Sequence, residues 1–438
     1  MDRIPYCLRW RRIRRGRAHA AALATALGLL LAAPSCSPHA PGAERIVLIV
    51  VDTLRRDHVG AYGSAARTPN LDALAAQGQA FPHAIAAFHQ TTMSMGALFT
   101  GRTPSLETEQ PSRTLRWNGD NWCGMARFNP ADSPTACLPD TIPTLGEQLR
   151  EAGYWTIGVP SNQFLFGDAG FSRGFDDWVE VGSPARPIDQ PHAERARLST
   201  LRAWEPVTEA ALGALARRPN DHFFLYVHLM DAHDYHYAKV DYPSAVQLVD
   251  QAVGVIVTAL EEQGLLEGTT FVVTADHGER FDERHRPPGR PSHYGNPSFQ
   301  EVLRIPLIIA PPVAEDPEPM MRTQDLHSLL LQIAGNPHEP EVQPRAPELF
   351  LSERGYQTYL SGRWKSAIRR RDGKQFLYDL TGDPVEQRNA AKQNPEIAAR
   401  HRRRIEAISR QLAIENAQPQ RSLSPEEQRT LEALGYVE

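Results

Sequence analysis

Cysteine is scarce in this chain of 438 residues, which contains only four of them. Positive charge is not in excess either, because 47 Lys and Arg stand against 52 Asp and Glu, for a formal net charge of -5. General nucleic-acid binding usually needs a basic face, so this balance argues against a nucleic-acid partner. With 41% hydrophobic and 23% charged residues, the composition excludes collagen-like, coiled-coil and mostly disordered chains. We expect a globular protein with a large core.

The chain begins with a segment that we do not expect to belong to the fold. A basic run over residues 9–17 precedes an Ala- and Leu-rich stretch over residues 20–33, and small residues follow up to position 36. This order is typical of an export signal. The apolar stretch is shorter than the roughly 20 residues that a transmembrane helix needs, although a single membrane anchor is the alternative. Residues 1–36 therefore predict an exported protein of the bacterial cell envelope, either periplasmic, lipid-anchored or secreted.

Export also bears on the cysteines. Cys36 stands where a bacterial lipoprotein cysteine is acylated, which would attach the protein to a membrane, but residues 33–35 fit that motif poorly and lipidation stays open. In an oxidising compartment, Cys123 and Cys137 are expected to form a disulfide, with two free buried thiols as the alternative. No cysteines are left for a zinc cluster.

Strands and helices are predicted to alternate along most of the chain. Residues 46–51 form a continuous apolar run, which is typical of a central parallel strand covered on both faces. Thr144 and Glu147 form a capping box that begins a helix, and Gly153 ends it. This alternation predicts an α/β fold with a large, mainly parallel sheet flanked by helices. Further strands are predicted over residues 154–159, 223–229, 270–274 and 305–310, and further helices over residues 71–78 and 245–264.

After about residue 340 the pattern changes. Residues 349–379 predict short antiparallel strands, residues 395–414 predict a basic surface helix, and a capping box at Ser424 predicts a terminal helix. The Arg-rich run over residues 401–404 indicates a solvated helix face rather than a nucleic-acid patch. We therefore expect a catalytic domain over residues 44–340 and a small C-terminal α+β subdomain over residues 345–438.

Acidic and basic side chains follow two of the predicted strands directly. Asp52 follows the first strand, and Asp276 and His277 follow the strand at 270–274. Ligands of an open parallel sheet bind at the carboxyl ends of the strands, and carboxylate and imidazole groups bind divalent metals. Each of these residues, taken alone, is equally consistent with a helix cap or a turn. Together they predict one divalent metal ion, with Ca²⁺ or Mn²⁺ favoured and Zn²⁺ allowed.

Three further segments carry candidate catalytic groups. Residues 89–102 place hydroxyl side chains at the start of a helix-compatible run, where the positive end of the helix dipole favours an alkoxide and an anionic substrate. Residues 228–236 are dense in His and Asp, which donate or relay protons. Residues 293–301 begin with His293 and precede a predicted strand.

These pieces, in this order, resemble the sulfatase family of the alkaline phosphatase superfamily. The resemblance extends over almost everything after residue 44 and implies the family's sandwich fold, with its large sheet and smaller C-terminal part. The matching stretches are residues 50–55, 68–72, 98–102, 144–154, 174–176, 228–233, 276–279, 304–307, 378–386 and 434–436.

The resemblance also implies roles for single residues. Asp52, Asp276 and His277 match the family's metal ligands. Thr91 falls at the position of the Cys or Ser that becomes formylglycine, where the side chain also contacts the metal. His233 matches a histidine that contacts the substrate oxygens or protonates the leaving group. His293 is near the expected position of a further substrate-binding basic residue.

The departures from the family pattern concern the nucleophile. Formylglycine requires Cys or Ser followed by Pro and Arg at set spacings, whereas this chain has Thr91, Met93 and Met95. Oxidation of a threonine would give a ketone rather than an aldehyde, so no formylglycine is expected. A Thr nucleophile resembles the phosphodiesterase, phosphonate and phosphoglycerol-transferase branches of the superfamily. Thr53 replaces the second Asp of many sulfatases, and His277 resembles the phosphonate-hydrolase arrangement.

We therefore predict an exported, metal-dependent hydrolase that cleaves sulfate, phosphate or phosphonate esters through Thr91. His233 is the predicted leaving-group acid, and Arg55 and His293 are predicted to stabilise the transferred group. The substrate is expected to be a small-molecule, glycan or lipid ester. A second metal held by Asp231, His236 and His293 is a weaker alternative. Two other functions stay open, namely a transferase of phosphorylated head groups and a binding protein without activity; the oligomeric state is not predicted.

Overall fold

The computed structural model describes residues 42–105, 107, 116–117, 122–123, 138, 142–182, 203–235, 238–281, 299–313, 319–335, 348–353 and 355–417. The predicted leader over residues 1–36, with Cys36, lies outside the described residues. Cys137 also lies outside them, and the predicted disulfide with it. The predicted terminal helix at Ser424 lies outside them as well.

The described part of the chain contains fifteen strands, and the predicted buried runs are among them. They are β1 (Arg45–Val51), β2 (Gln79–Ala80), β3 (Ala84–Ile85), β4 (Arg116–Trp117), β5 (Trp122–Cys123), β6 (Trp155–Val159), β7 (Asp177–Trp178), β8 (Phe223–Leu229), β9 (Thr269–Ala275), β10 (Leu307–Ala310), β11 (Met321–Arg322), β12 (Glu348–Ser352), β13 (Tyr356–Ser361), β14 (Trp364–Arg369) and β15 (Gln375–Asp379).

Helices connect and cover these strands. They are α1 (Pro69–Gln77), α2 (Thr91–Thr100), α3 (Leu145–Glu151), α4 (Trp204–Arg217), α5 (Tyr242–Glu262), α6 (Gln300–Leu303), α7 (Thr323–Ile333) and α8 (Pro395–Ala417). Four short 3₁₀ turns lie at Arg56–His58, Gly60–Tyr62, Gln163–Leu165 and Gly167–Ala169.

A seven-stranded sheet in the order β2-β10-β9-β1-β8-β6-β7 forms the centre of the molecule. The strands from β9 to β7 run parallel, β10 pairs with β9 in the antiparallel direction, and the edge strand β2 pairs antiparallel with β10. All seven residues of β1, β8 and β9 are buried, as expected for strands covered on both faces. The predicted α/β fold with a large, mainly parallel sheet flanked by helices is confirmed.

Local sequence signals account for the helix starts that flank this sheet. In α3, Thr144 Oγ1 accepts a hydrogen bond from Glu147 N, and the Glu147 carboxylate accepts one from Thr144 N, which is the predicted capping box. In α5, the Asp241 side chain accepts a hydrogen bond from Ser244 N. Helix α5 is long and apolar enough to cross a membrane by length and composition, but its apolar face is buried in the core, where Val246, Val253 and Ile256 pack.

A second, four-stranded antiparallel sheet in the order β12-β13-β14-β15 follows, with α8 after it. These elements match the strands and the basic helix that the sequence predicts for this region. Leu349, Leu351 and Leu360 from this sheet belong to the same buried apolar cluster as the central sheet. Just after β12, Glu353 forms a buried contact with His89, whose Nε2 lies 2.8 Å from the Glu353 carboxylate. The C-terminal sheet therefore packs on the segment that leads into α2.

Candidate active site

Three adjacent parallel strands deliver the residues of the site. In the register of the sheet, Val51 pairs with Leu229 on one side and with Ala275 on the other. The residues that follow these positions therefore emerge together at the carboxyl edge of the sheet, where the ligands of parallel sheets bind. Asp52 and Asp276 both occupy this edge, and both are completely buried.

Asp52 receives two side-chain hydrogen bonds. Asn162 Nδ2 donates to Asp52 Oδ2 over 2.7 Å, and Thr91 Oγ1 donates to the same oxygen over 3.3 Å. The other carboxylate oxygen, Asp52 Oδ1, has no hydrogen-bond partner among the described residues. A buried carboxylate oxygen without a partner costs roughly 1–3 kcal/mol or more, so this oxygen is available for a ligand.

Asp276 is held by backbone groups on one side only. Its Oδ1 accepts hydrogen bonds from Thr53 N (3.1 Å) and His277 N (2.7 Å), whereas its Oδ2 has no hydrogen-bond partner in the described part of the chain. Thr53 has a φ of 60°, which is strained for a β-branched residue and costs about 1–3 kcal/mol. Tyr242 Oη donates to the Thr53 carbonyl over 2.7 Å and so helps to hold this conformation. In this backbone conformation the Thr53 amide donates its hydrogen bond to Asp276 Oδ1.

Thr91 is the first residue of α2, and its hydroxyl points into the cluster. Thr91 Oγ1 lies 3.3 Å from Asp52 Oδ2 and 3.3 Å from His277 Nε2. One turn later, Ser94 Oγ donates to the Asp276 carbonyl over 2.6 Å, which ties α2 to the end of β9. Because Thr91 lies at a helix N-terminus, the positive end of the dipole favours negative charge at its oxygen.

The ring of His277 is oriented by a backbone contact. Its Nδ1 lies 2.9 Å from the Gly278 carbonyl, so Nδ1 carries the proton in this hydrogen bond. The lone pair is then on Nε2, which lies 3.4 Å from Asp276 Oδ2 and faces Thr91. An imidazole fixed in this tautomer is in the form that binds a metal.

His233 borders the same cluster from the loop after β8. Its Nδ1 lies 2.9 Å from Asp234 Oδ1, so the proton transfer predicted for His233 would use Nε2. The residue is 7% exposed and Thr91 is 8% exposed, so both side chains are largely buried.

Arg55 has contacts beside the cluster. Its guanidinium pairs with Asp57 over 2.7 Å and with Glu301 over 3.3 Å, and it donates to the Glu279 carbonyl over 3.1 Å. It also lies 4.9 Å from the centre of the Phe281 ring. These contacts hold the Arg55 guanidinium in place, and its role toward the transferred group stays a prediction. The other predicted groups, His236 and His293, lie outside the described residues, as does any second metal site that would need them.

Burial and the close packing of charges set the protonation states. Burial and the charge of Asp52 raise the pKa of Asp276 well above its ordinary value. Burial also opposes the charge of Asp52, but His233, His277 and His228, with the Asn162 hydrogen bond, hold the pKa of Asp52 below its ordinary value. Burial lowers the pKa of His228 to about 4 and lowers that of His277. Both imidazoles are therefore neutral near pH 7.

The structure adds two residues that the sequence analysis did not assign. Asn162 follows β6 and contacts Asp52, and His228, within β8, belongs with Asp52 and Asp276 to one group whose ligand atoms lie within 4.8 Å of one another. In the sequence, the position of Asn162 three residues after a buried strand is the feature that could have indicated its role. His228 lies in the His- and Asp-rich segment, but its strand position looked like part of the core.

The side-chain chemistry of this cluster fits a divalent metal. Two buried carboxylates at close range repel each other unless a proton or a cation lies between them. Asp52 Oδ1 and Asp276 Oδ2 lack hydrogen-bond partners among the described residues, and His277 directs a lone pair toward the same space. Oxygen and imidazole donors of this kind hold divalent cations.

The comparisons with known proteins agree with this fold. The Sulfatase family model matches residues 44–335, so the chain belongs to the sulfatase family. Human N-acetylgalactosamine-6-sulfatase is 27% identical over 282 residues, which cover 55% of this chain and 51% of that protein. Human arylsulfatase A is 29% identical over 303 residues, which cover 58% and 54%. The chain thus spans about half the length of these curated relatives.

Solved structures show the same fold. A Bacteroides thetaiotaomicron protein described as a sulfatase superposes with a TM-score of 0.64 at 19% identity, covering 87% of this chain and 95% of that chain. Phosphonate monoester hydrolase of Agrobacterium radiobacter superposes with a TM-score of 0.60 at 15% identity, covering 84% and 95%. Both superpositions confirm the sulfatase-like architecture that the sequence predicts.

Proposed function

We propose that this chain is a metal-dependent ester hydrolase that uses Thr91 as its nucleophile and prefers phosphorus esters to sulfate esters. The observation that carries the proposal is the position of Thr91 Oγ1, at the start of α2 and 3.3 Å from both Asp52 Oδ2 and His277 Nε2. A hydroxyl in this position lies beside the candidate metal ligands and at the positive end of a helix dipole, both of which favour the ionised form of a nucleophile.

The chain's own residues account for the steps of such a reaction. Thr91 Oγ1 loses its proton to water and attacks the phosphorus in line, and the bond to the leaving oxygen breaks. His233 Nε2 protonates the leaving oxygen, and its Nδ1 contact with Asp234 orients the ring for that transfer. Water then cleaves the threonyl ester and regenerates Thr91. A divalent ion held by Asp52, Asp276, His277 and Thr91 would supply Lewis-acid stabilisation of the ester oxygens.

The relatives support an ester of a tetrahedral anion as the substrate class. The names of the curated relatives describe sulfatases, and one structural neighbour is a phosphonate monoester hydrolase. The preference for phosphorus rests on Thr91, because formylglycine cannot form at a threonine. The predicted leader supports action outside the cytoplasm on a small-molecule, glycan or lipid ester.

The test is kcat/KM of the purified chain on matched nitrophenyl sulfate, phosphate monoester, phosphodiester and phosphonate. We expect a phosphorus ester to be preferred and a divalent metal to be required. Thr91→Ala should lose at least about 10³-fold in kcat/KM, whereas the matched variant Thr91→Ser keeps the hydroxyl and should retain much more activity.

Two results would contradict the proposal. A preference for the sulfate that survives in Thr91→Ala would mean that another residue or a water molecule attacks the ester. Slow hydrolysis with rapid transfer of the phosphoryl group to an added alcohol would instead identify a transferase, with the same catalytic residues.

A further inference from the structure

His228 has an unusual environment for a strand residue. It lies near the end of β8, opposite Val50 of β1, and it is completely buried. Ser161 Oγ donates to its backbone carbonyl over 2.5 Å, which fixes the backbone at this point. Neither ring nitrogen has a hydrogen-bond partner among the described residues. A buried imidazole with two unpartnered nitrogens is destabilising unless something else binds to it.

The distances around His228 indicate what binds there. His228 Nε2 lies 4.0 Å from Asp52 Oδ2, which is too far for a hydrogen bond. Ligand atoms of Asp52, Asp276 and His228 nevertheless lie within 4.8 Å of one another. Two atoms bound to one cation, each about 2–2.4 Å from it, are separated by at most about 4–5 Å. The three side chains are therefore spaced like ligands of a shared ion.

The unpartnered atoms converge on the same place. Asp52 Oδ1 and Asp276 Oδ2 lack hydrogen-bond partners in the described part of the chain, as do the His228 nitrogens. Most buried polar atoms of native proteins have partners, so several unpartnered atoms from three neighbouring strands are not explained by packing alone. A cation that these atoms share would satisfy them together.

We propose that His228 is a ligand of the ion held by Asp52 and Asp276. Its imidazole and that of His277 would then make this site select Zn²⁺ over Ca²⁺. The proposal rests on the proposed function only in that both need an ion at this place. Ca²⁺ prefers oxygen ligands in sets of six to eight, whereas imidazole suits Zn²⁺. The sequence alone favoured Ca²⁺ or Mn²⁺ because it supplied one histidine, and His228 changes that donor set.

The experiment measures metal binding directly rather than activity. The full chain is freed of metal with a chelator, and its Kd for Zn²⁺ and for Ca²⁺ is measured by calorimetry, with a competing chelator for Zn²⁺. We expect Zn²⁺ to bind at least 100-fold more tightly than Ca²⁺. His228→Gln should weaken Zn²⁺ binding by 10- to 100-fold and change Ca²⁺ binding by less than about threefold.

A matched variant controls for the loss of a buried histidine. His327 is 6% exposed, lies outside the cluster and contacts Gln148 Nε2 over 3.0 Å. His327→Gln should bind Zn²⁺ like the wild type. The visible absorption of the Co²⁺-substituted protein reports the ligand set independently, and His228→Phe and His228→Gln should both shift that spectrum relative to His327→Gln. Thermal unfolding of each metal-free variant establishes that it is folded.

The outcomes separate this proposal from the proposed function. Equal Zn²⁺ affinity and an unchanged Co²⁺ spectrum in folded His228→Gln would overturn the ligand role of His228, while leaving the hydrolase proposal intact. A wild-type preference for Ca²⁺ would overturn the selectivity. If the wild type bound neither Zn²⁺ nor Ca²⁺, both proposals would fail together.

Discussion

Two regions of this molecule bury charged side chains, and they do so differently. In the C-terminal sheet, Lys365 and Glu386 are 0% and 1% exposed, and their charged atoms lie 2.6 Å apart. The Glu386 carboxylate also accepts a hydrogen bond from Gln300 N over 2.7 Å. At the carboxyl edge of the central sheet, by contrast, no Lys or Arg among the described residues forms an ion pair with Asp52 or Asp276, and each carboxylate keeps an oxygen without a hydrogen-bond partner there.

The difference separates a structural role from a functional one. A buried charge that is paired and hydrogen-bonded holds elements together and needs nothing further. A buried carboxylate that stays incompletely partnered carries a cost that only a ligand removes, and such groups gather at functional sites. Burial alone therefore does not mark the active site of this protein, whereas the convergence of Asp52, Asp276 and His228, whose ligand atoms lie within 4.8 Å of one another, does.

The largest expected effect comes from breaking the paired region. Lys365→Met leaves the Glu386 carboxylate buried without its cation, which should lower the free energy of unfolding by about 3–5 kcal/mol. Urea denaturation of the metal-free chain measures this change. The double variant Lys365→Met, Glu386→Gln removes both charges and should regain most of the loss. A cost below about 1 kcal/mol for Lys365→Met alone would show that the pair is not a structural element.

A second prediction concerns Asp231, a buried carboxylate with one oxygen hydrogen-bonded and the other without a partner among the described residues. Its Oδ1 accepts a hydrogen bond from Trp204 N over 3.2 Å, but its Oδ2 has no partner among the described residues. Burial raises the pKa of Asp231 from 3.8 to about 7. An acid whose pKa is higher in the folded state loses stability as the pH rises from about 4 through 7.

Asp231→Asn removes this titration, so its effect should depend on pH. Below about pH 4 the variant and the wild type should be similarly stable, and at pH 8 the variant should be the more stable by up to roughly 4 kcal/mol, the equivalent of about three pKa units. Urea denaturation at both pH values is the measurement. A difference that does not change with pH would contradict a buried, titrating Asp231.

The smallest of the three effects is expected at Asn162. Asn162→Leu removes the 2.7 Å hydrogen bond to Asp52 Oδ2 but no metal ligand. Side chains that orient a ligand typically contribute 10- to 100-fold to metal affinity, so the Kd for Zn²⁺ should rise by about that factor. Calorimetry measures it, with Asn70→Leu, at a hydrogen bond to Asp250 remote from the cluster, as the control. Unchanged affinity in Asn162→Leu would mean that Asp52 needs no such support.

Much of the fold follows from sequence because its central strands are continuous apolar runs. The strands β1, β8 and β9 and the capping box of α3 were predicted from local patterns that the structure confirms. The helices α4 and α7 were not predicted, and neither was the antiparallel direction of β10, since direction depends on the connection rather than on the residues of the strand. Asp52, Asp276 and His277 were identifiable because they directly follow buried strands.

Other parts of the site required three dimensions. His228 lies near the end of a continuous apolar strand, and the sequence placed it only in the His- and Asp-rich segment over residues 228–236, without a role of its own. Its significance appears only when the register of the sheet places it beside Asp52, which is 176 residues away along the chain. The strain at Thr53 was equally invisible in the sequence, because a threonine after a strand ordinarily has an extended backbone.

The contact between His89 and Glu353 has a consequence for how this protein can be divided. Glu353 belongs to the C-terminal sheet, and His89 is two residues before Thr91. Leu349, Leu351 and Leu360 lie in the same apolar cluster as the central sheet. A fragment that stops near residue 340 would therefore lose a support of the nucleophile and expose apolar surface. We expect the central sheet and the C-terminal sheet to be inherited as a unit. Chimeras that replace the C-terminal sheet should also need a replacement of His89.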